Sequence, residues 1–187
     1  MDPKTIEELG NGTLEVWELE VSETFLNHLL TDLFENHWQE IVFGTLIQGS
    51  VFEVKVDRPP EKIGVLDGYL TVDFGPWHFH ICIGHNAGTS RNPTSPELAQ
   101  IRKTSRAELY RRLNPDGSVS SWGLRLFNGR DENQITVFLP NPFLSDEMKF
   151  LKQPDWSRLA LWDKLRKTCL GLDPDPKDRS GKTMFHG

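Results

Sequence analysis

The chain reads as an α+β protein, an antiparallel β-sheet built of hairpins with about three α-helices packed on its apolar face. Three observations predict this. Period-two alternation recurs in short runs bounded by turn residues. Three segments carry an N-cap signal followed by apolar residues at helical spacing. A Gly75-Pro76 pair joins two alternating runs, and glycine first with proline second suits a two-residue type II′ hairpin loop.

Thr13 to Val21 can form the opening strand. Ser22 then caps a helix in which Phe25, Leu26, Leu29, Leu30, Leu33 and Phe34 make a broad apolar stripe. That helix is core packing, so His28 and His37 are read as surface or structural. Val51 to Val56 alternates as a strand before the Pro59-Pro60 break, and Ile63 to Leu66 allows a short one. The runs 69–74 and 77–83 form the central hairpin. Gly84 to Pro93 is a polar loop. Ser95-Pro96-Glu97 is a strong helix start, with Leu98, Ile101, Leu109 and Leu113 as its apolar stripe. Arg102, Lys103, Arg106, Arg111 and Arg112 make that helix basic, and Arg102 or Arg106 could reach an anionic ligand. Asn114-Pro115-Asp116-Gly117 is a turn. Strands at 121–127 and 134–139 follow, separated by Asn128-Gly129. Asp155 opens a last helix through Leu159, Trp162, Leu165 and Cys169, which Gly171 stops.

At 187 residues the chain is read as one domain, 1–187, with an irregular tail from about 173. Its hydrophobic and charged fractions, 37% and 26%, are those of a soluble globular protein. A formal charge of −6 argues against nucleic acid or an anionic membrane as the main partner. No apolar run approaches a membrane span, and the first residues lack a signal core, so the cytoplasm is the expected compartment. Two cysteines far apart do not suggest a disulfide framework.

The most informative segment is Trp77-His78-Phe79-His80-Ile81-Cys82-Ile83-Gly84-His85. Side chains of a strand alternate faces, so His78, His80 and Cys82 share one side and the aromatic and aliphatic residues the other. Pairing outward from Gly75-Pro76 sets Asp73 opposite His78, Thr71 opposite His80 and Tyr69 opposite Cys82. This polar face of the hairpin lacks Lys and Glu and reads as the floor of a site rather than a solvated surface. Two imidazoles at i and i+2 can converge on one ion. Asp73 can ligate or orient a ring, and a Cys82 thiolate would favour zinc, iron or copper over magnesium.

His78-Phe79-His80 resembles the paired-histidine strand of α-type carbonic anhydrases. The resemblance covers three residues and implies convergent ligand geometry rather than kinship. The same stretch is similar to the His-x-His of cupins, but Gly84 and His85 stand where the cupin Glu belongs. It is also similar to the histidine-triad pattern, with Cys82 in place of the third histidine.

The leading expectation is a small metal-dependent enzyme. His78, His80, Cys82 and Asp73 would hold a divalent zinc or iron that activates water or polarises a small anionic substrate. His85 would be a ligand or general base, and Arg125 would hold the anionic group. The alternative is a non-catalytic binding module for haem, a tetrapyrrole or another flat apolar ligand, met by a pocket histidine and stacking aromatics. The histidine face could equally be a homodimer interface.

Overall fold

The computed structural model describes residues 2–181. Its strands are β1 (Lys4–Glu8), β2 (Gly12–Glu18), β3 (Val42–Gly44), β4 (Leu46–Ile47), β5 (Ser50–Val51), β6 (Lys62–Leu66), β7 (Tyr69–Asp73), β8 (His78–Cys82), β9 (Gly88–Thr89), β10 (Asn92–Pro93), β11 (Thr104–Leu113), β12 (Val119–Asn128) and β13 (Asn133–Phe138). The helices are α1 (Glu23–Asn36), α2 (Pro96–Arg102) and α3 (Ala160–Leu170). The fold class is therefore the expected antiparallel α+β arrangement with three α-helices among the described residues. Strands are more numerous than foreseen, because several are two-residue pairings. The largest sheet has the order β1-β2-β11-β12-β13-β3, and a separate three-stranded sheet has the order β6-β7-β8. No helix among the described residues is long and apolar enough to cross a membrane.

Local signals placed the starts of α1 and α2 and the end of α3. Ser22 and Ser95 accept hydrogen bonds from Phe25 N–H and Leu98 N–H, as N-caps do, and Gly171 closes α3 in the left-handed conformation at φ 70°. Two expectations were wrong. The helix expected through Leu113 ends at Arg102, where Lys103 turns extended and β11 begins. There β11 pairs with β2 in the register Glu108↔Glu18 to Arg112↔Leu14, a long-range pairing that overrides local helical spacing. The strand expected over 51–56 shrinks to β5 plus a single Val54–Phe43 bridge, and Phe52 lies exposed.

Close-packed contacts divide the chain into two compact units. The first comprises residues 1–19, 108–124 and 137–187. Trp17, Trp122, Trp162, Leu159 and Leu165 are buried in it. Its polar centre is Arg111, which reaches Glu15 (2.6 Å), Asp175 (2.8 Å) and Asp178 (2.8 Å). Asp178 is fully buried and also accepts from the indole N–H groups of Trp122 (2.9 Å) and Trp162 (2.8 Å). The segment expected to be an irregular tail thus contributes a short 3₁₀ turn, Pro176–Arg179, whose aspartate is an internal hydrogen-bond acceptor. His186 lies outside the described residues.

The second unit comprises residues 20–107 and 125–136. Here α1 buries Leu26, Leu30, Leu33 and Phe34. Against Phe34 stand Phe43 (4.9 Å between ring centroids) and Phe79 (5.3 Å), with Phe74 and Trp77 stacked 4.6 Å apart. Phe74, Trp77 and Phe79, together with Leu70, Val72 and Ile81, form the apolar face of the β6-β7-β8 meander, which packs against Phe34 and Phe43 and fixes which face remains outside.

Candidate functional site

Both meander turns follow from two-residue loops. Gly75 sits at φ 87°, as the first position of a type II′ turn requires, and Phe74 N–H donates to the Trp77 carbonyl. Asp67 and Gly68 both have positive φ, 48° and 76°, the type I′ pattern of an Asp-Gly loop. Turns this short fix the register. Directly opposed residues point the same way, so the outer face is laid out in three rows. These are Lys62–Asp73–His78, Gly64–Thr71–His80 and Leu66–Tyr69–Cys82.

The expected pairings of Asp73 with His78, Thr71 with His80 and Tyr69 with Cys82 are all present. The character of the face is not the one expected. His78 and His80 are exposed, and the third strand adds Lys62 and Leu66, both exposed too. The face is open to solvent rather than the floor of a closed pocket.

The four expected ligands occupy different environments. The imidazoles of His78 and His80 lie 5.0 Å apart between centroids at 66°. Nδ1 of His80 is 2.7 Å from Thr71 Oγ1, which leaves Nε2 as the nitrogen for any further partner. Asp73 turns a carboxylate oxygen back to Gly75 N–H at 2.8 Å. Cys82 is buried, with its thiol directed to the Gly84 carbonyl at 3.6 Å and hydrogen-bonded to the Tyr69 hydroxyl. Burial pushes the Cys82 thiol and the Tyr69 phenol above their ordinary values, so both stay protonated at neutral pH. Among the described residues no group of three or more His, Cys, Asp and Glu is gathered where it could hold a metal ion.

The loop after β8 is tied down. The Asp67 carboxylate accepts from Ala87 N–H (2.7 Å), Gly88 N–H (2.9 Å) and the Asn86 amide (2.7 Å). The two backbone donors hold its pKa below the usual aspartate range. Asn86 in turn accepts from Thr94 and from Arg102, both at 2.9 Å. His85 is exposed on this loop, beside Asp67. Arg102 is therefore part of an internal brace. Arg106 pairs with Asp131 at 2.6 Å and lies 3.6 Å over the Phe127 ring. Arg125 is buried, with its guanidinium 5.2 Å from the centroid of the same Phe127 ring. The Gln134 side chain accepts from Thr104 (2.8 Å) and donates to the Arg102 carbonyl (2.9 Å).

A family model described as "Family of unknown function (DUF7676)" matches residues 3–171. The chain belongs to that family. No curated protein matches it. Among solved structures, the chain is similar to one titled "Crystal structure of ChuX", at 12% identity and a TM-score of 0.49, covering 81% of this chain and 74% of that one.

Proposed function

We propose that this protein is a non-catalytic binding module for a flat, iron-bearing tetrapyrrole such as haem, with His80 as the axial ligand. The observation that carries the reading is the His80–Thr71 contact on an exposed face. A metal-ligating imidazole commonly has its other nitrogen held by a hydrogen-bond partner, which fixes the ring and presents the remaining lone pair. Thr71 can accept from Nδ1–H, so Nε2 is free to meet iron. A closed tetrahedral zinc site needs its ligands converging, whereas a macrocycle brings four nitrogens of its own and needs only one or two from the protein. An open sheet face with two neighbouring imidazoles suits the second requirement.

A second reading, a metal-dependent enzyme, is favoured by one observation, the 5.0 Å spacing of the His78 and His80 rings. In that case a zinc or ferrous ion held by both would activate water, with His85 as general base, Arg125 holding an anion, and Asp73 and Cys82 completing the ligands after side-chain rotation.

Titration with hemin, monitored in the Soret region, tests the first reading. Wild type and His28→Ala should bind with equal affinity, and His80→Ala should lose the shifted band. Stoichiometric zinc in colourless purified protein, removed by His78→Ala and His80→Ala alike, would favour the enzyme. A protein that takes up neither hemin nor zinc overturns both readings.

A further inference from the structure

The ribbon formed by β4 and β5, from Thr45 to Phe52, leaves its apolar side chains in water. Ile47, Val51 and Phe52 are 60%, 59% and 70% exposed, and no residue of the ribbon is charged or a proline. Strand edges in natural proteins are normally guarded by charge, proline or a bulge, because their unpaired N–H and C=O groups are a template for another strand. Among the described residues, β4 and β5 pair with each other and with no further strand. On the inner side, Phe52 N–H donates to the Thr45 carbonyl (3.3 Å) and Val54 N–H to the Phe43 carbonyl (2.8 Å). Bonding direction alternates along an antiparallel strand, so the backbone of Val51, Glu53 and Lys55 is turned to the opposite side. That side is an open edge, which runs from the apolar tip to two exposed residues of opposite charge, Glu53 and Lys55.

We propose that this edge pairs with the same edge of a second copy of the chain, antiparallel about a twofold axis at Val54. Charge selects both the partner and the register. Copies with a formal charge of −6 repel each other, so a self-contact needs an uncharged surface or matched charges. The ribbon is uncharged, and an axis at Val54 sets Glu53 of each copy directly across from the partner's Lys55. Opposite charges so placed stabilise a strand pair, and like charges destabilise it. An axis at Glu53 would oppose two carboxylates, and one at Phe52 would set Val51 against the partner's Glu53. A twofold contact of this kind uses one patch twice and closes at two copies. Three exposed apolar side chains cover only part of the roughly 800 Å² per partner of a standard interface, so the dimer is weak and forms with rising concentration.

The test is sedimentation equilibrium of the full chain over a concentration series up to millimolar, where wild type should show a reversible monomer–dimer equilibrium. Glu53→Lys and Lys55→Glu change exposed residues and should fold as wild type by circular dichroism and thermal melting. Each alone opposes like charges in both cross-strand pairs and should weaken the dimer at least about tenfold. Mixed in equal amounts, the two variants should recover a heterodimer, because every pair across that interface is again of opposite sign. Phe52→Ser should also weaken the dimer by removing exposed apolar surface. Wild type that stays monomeric throughout overturns the proposal and leaves the ribbon to a partner of another kind. A dimer that both charge variants retain lies on another surface, and variants that stay monomeric when mixed rule out the Val54 register. None of these readouts depends on whether the histidine face binds hemin.

Discussion

Thr71 Oγ1 and His80 Nδ1 stand 2.7 Å apart across neighbouring strands, and this contact decides which nitrogen of His80 faces outward. Thr71→Val keeps the shape and β-propensity of the residue but removes the hydroxyl. The variant should retain wild-type stability and lose about tenfold to a hundredfold in hemin affinity, the usual range for a lost ligand-orienting bond. Unchanged affinity in a Soret titration would show that the hydroxyl does not orient the ring.

Asp178 is the most committed acceptor in the first unit. Removing it with Asp178→Ala strands two indole N–H groups and part of the Arg111 charge in the interior, and should cost about 3–5 kcal/mol in urea denaturation. Asp173, exposed and paired with Lys167 at 2.8 Å, is the contrast. Asp173→Ala should leave the transition where it is. Equal effects of the two substitutions would mean that the buried network is not what holds this unit.

The same network sets an acid limit. Burial alone would raise the carboxyl pKa of Glu15 and Asp175. The bonds of Lys177 and Arg111 to Glu15, and of Lys177 N–H and Arg111 to Asp175, outweigh it and hold both values below normal. Carboxyls with depressed folded pKa values stabilise above their unfolded values, about 3.9 for Asp and 4.3 for Glu, and lose that contribution as pH falls through the folded ones. Melting temperature should therefore be flat from neutrality to about pH 5 and fall steeply below about pH 4. A curve that stays level down to pH 3 would contradict this.

Cys82 should be chemically quiet. Its thiol is buried and its pKa is pushed up by that burial, whereas Cys169 is partly exposed. Timed thiol labelling at pH 7.5 should modify Cys169 first and reach Cys82 only after denaturant is added. Rapid labelling of Cys82 in the native protein, resolved by peptide mass, would mean the thiol opens to solvent far more readily than its packing implies.

The central hairpin was legible because its turn residues and the alternation on both sides agree on one register. The place of Lys62, Gly64 and Leu66 on the histidine face was missed, although a strand was suspected at 63–66. The signal was present in Leu66-Asp67-Gly68-Tyr69, since Asp-Gly between alternating runs is a strong type I′ hairpin marker that pairs β6 with β7. β11 was misread for a different reason. Arg111 looks like a solvated helix residue in sequence, and only Glu15, Asp175 and Asp178, remote along the chain, explain how a strand can bury it. The openness of the histidine face was likewise invisible, because alternation identifies which residues share a face and not what covers it.

Thr71, His78 and His80 lie on one uninterrupted stretch, 62–82, folded back on itself by two minimal turns. Contacts so close in sequence have little loop entropy to overcome, so this meander can assemble early and independently of the slow, long-range pairing of β2 with β11. A nascent or partly unfolded chain would then display the histidine row before the rest of the molecule is complete. If hemin binds this face as proposed, then added during refolding it would meet the face already formed, and would act on the speed of folding as well as on the stability of the product.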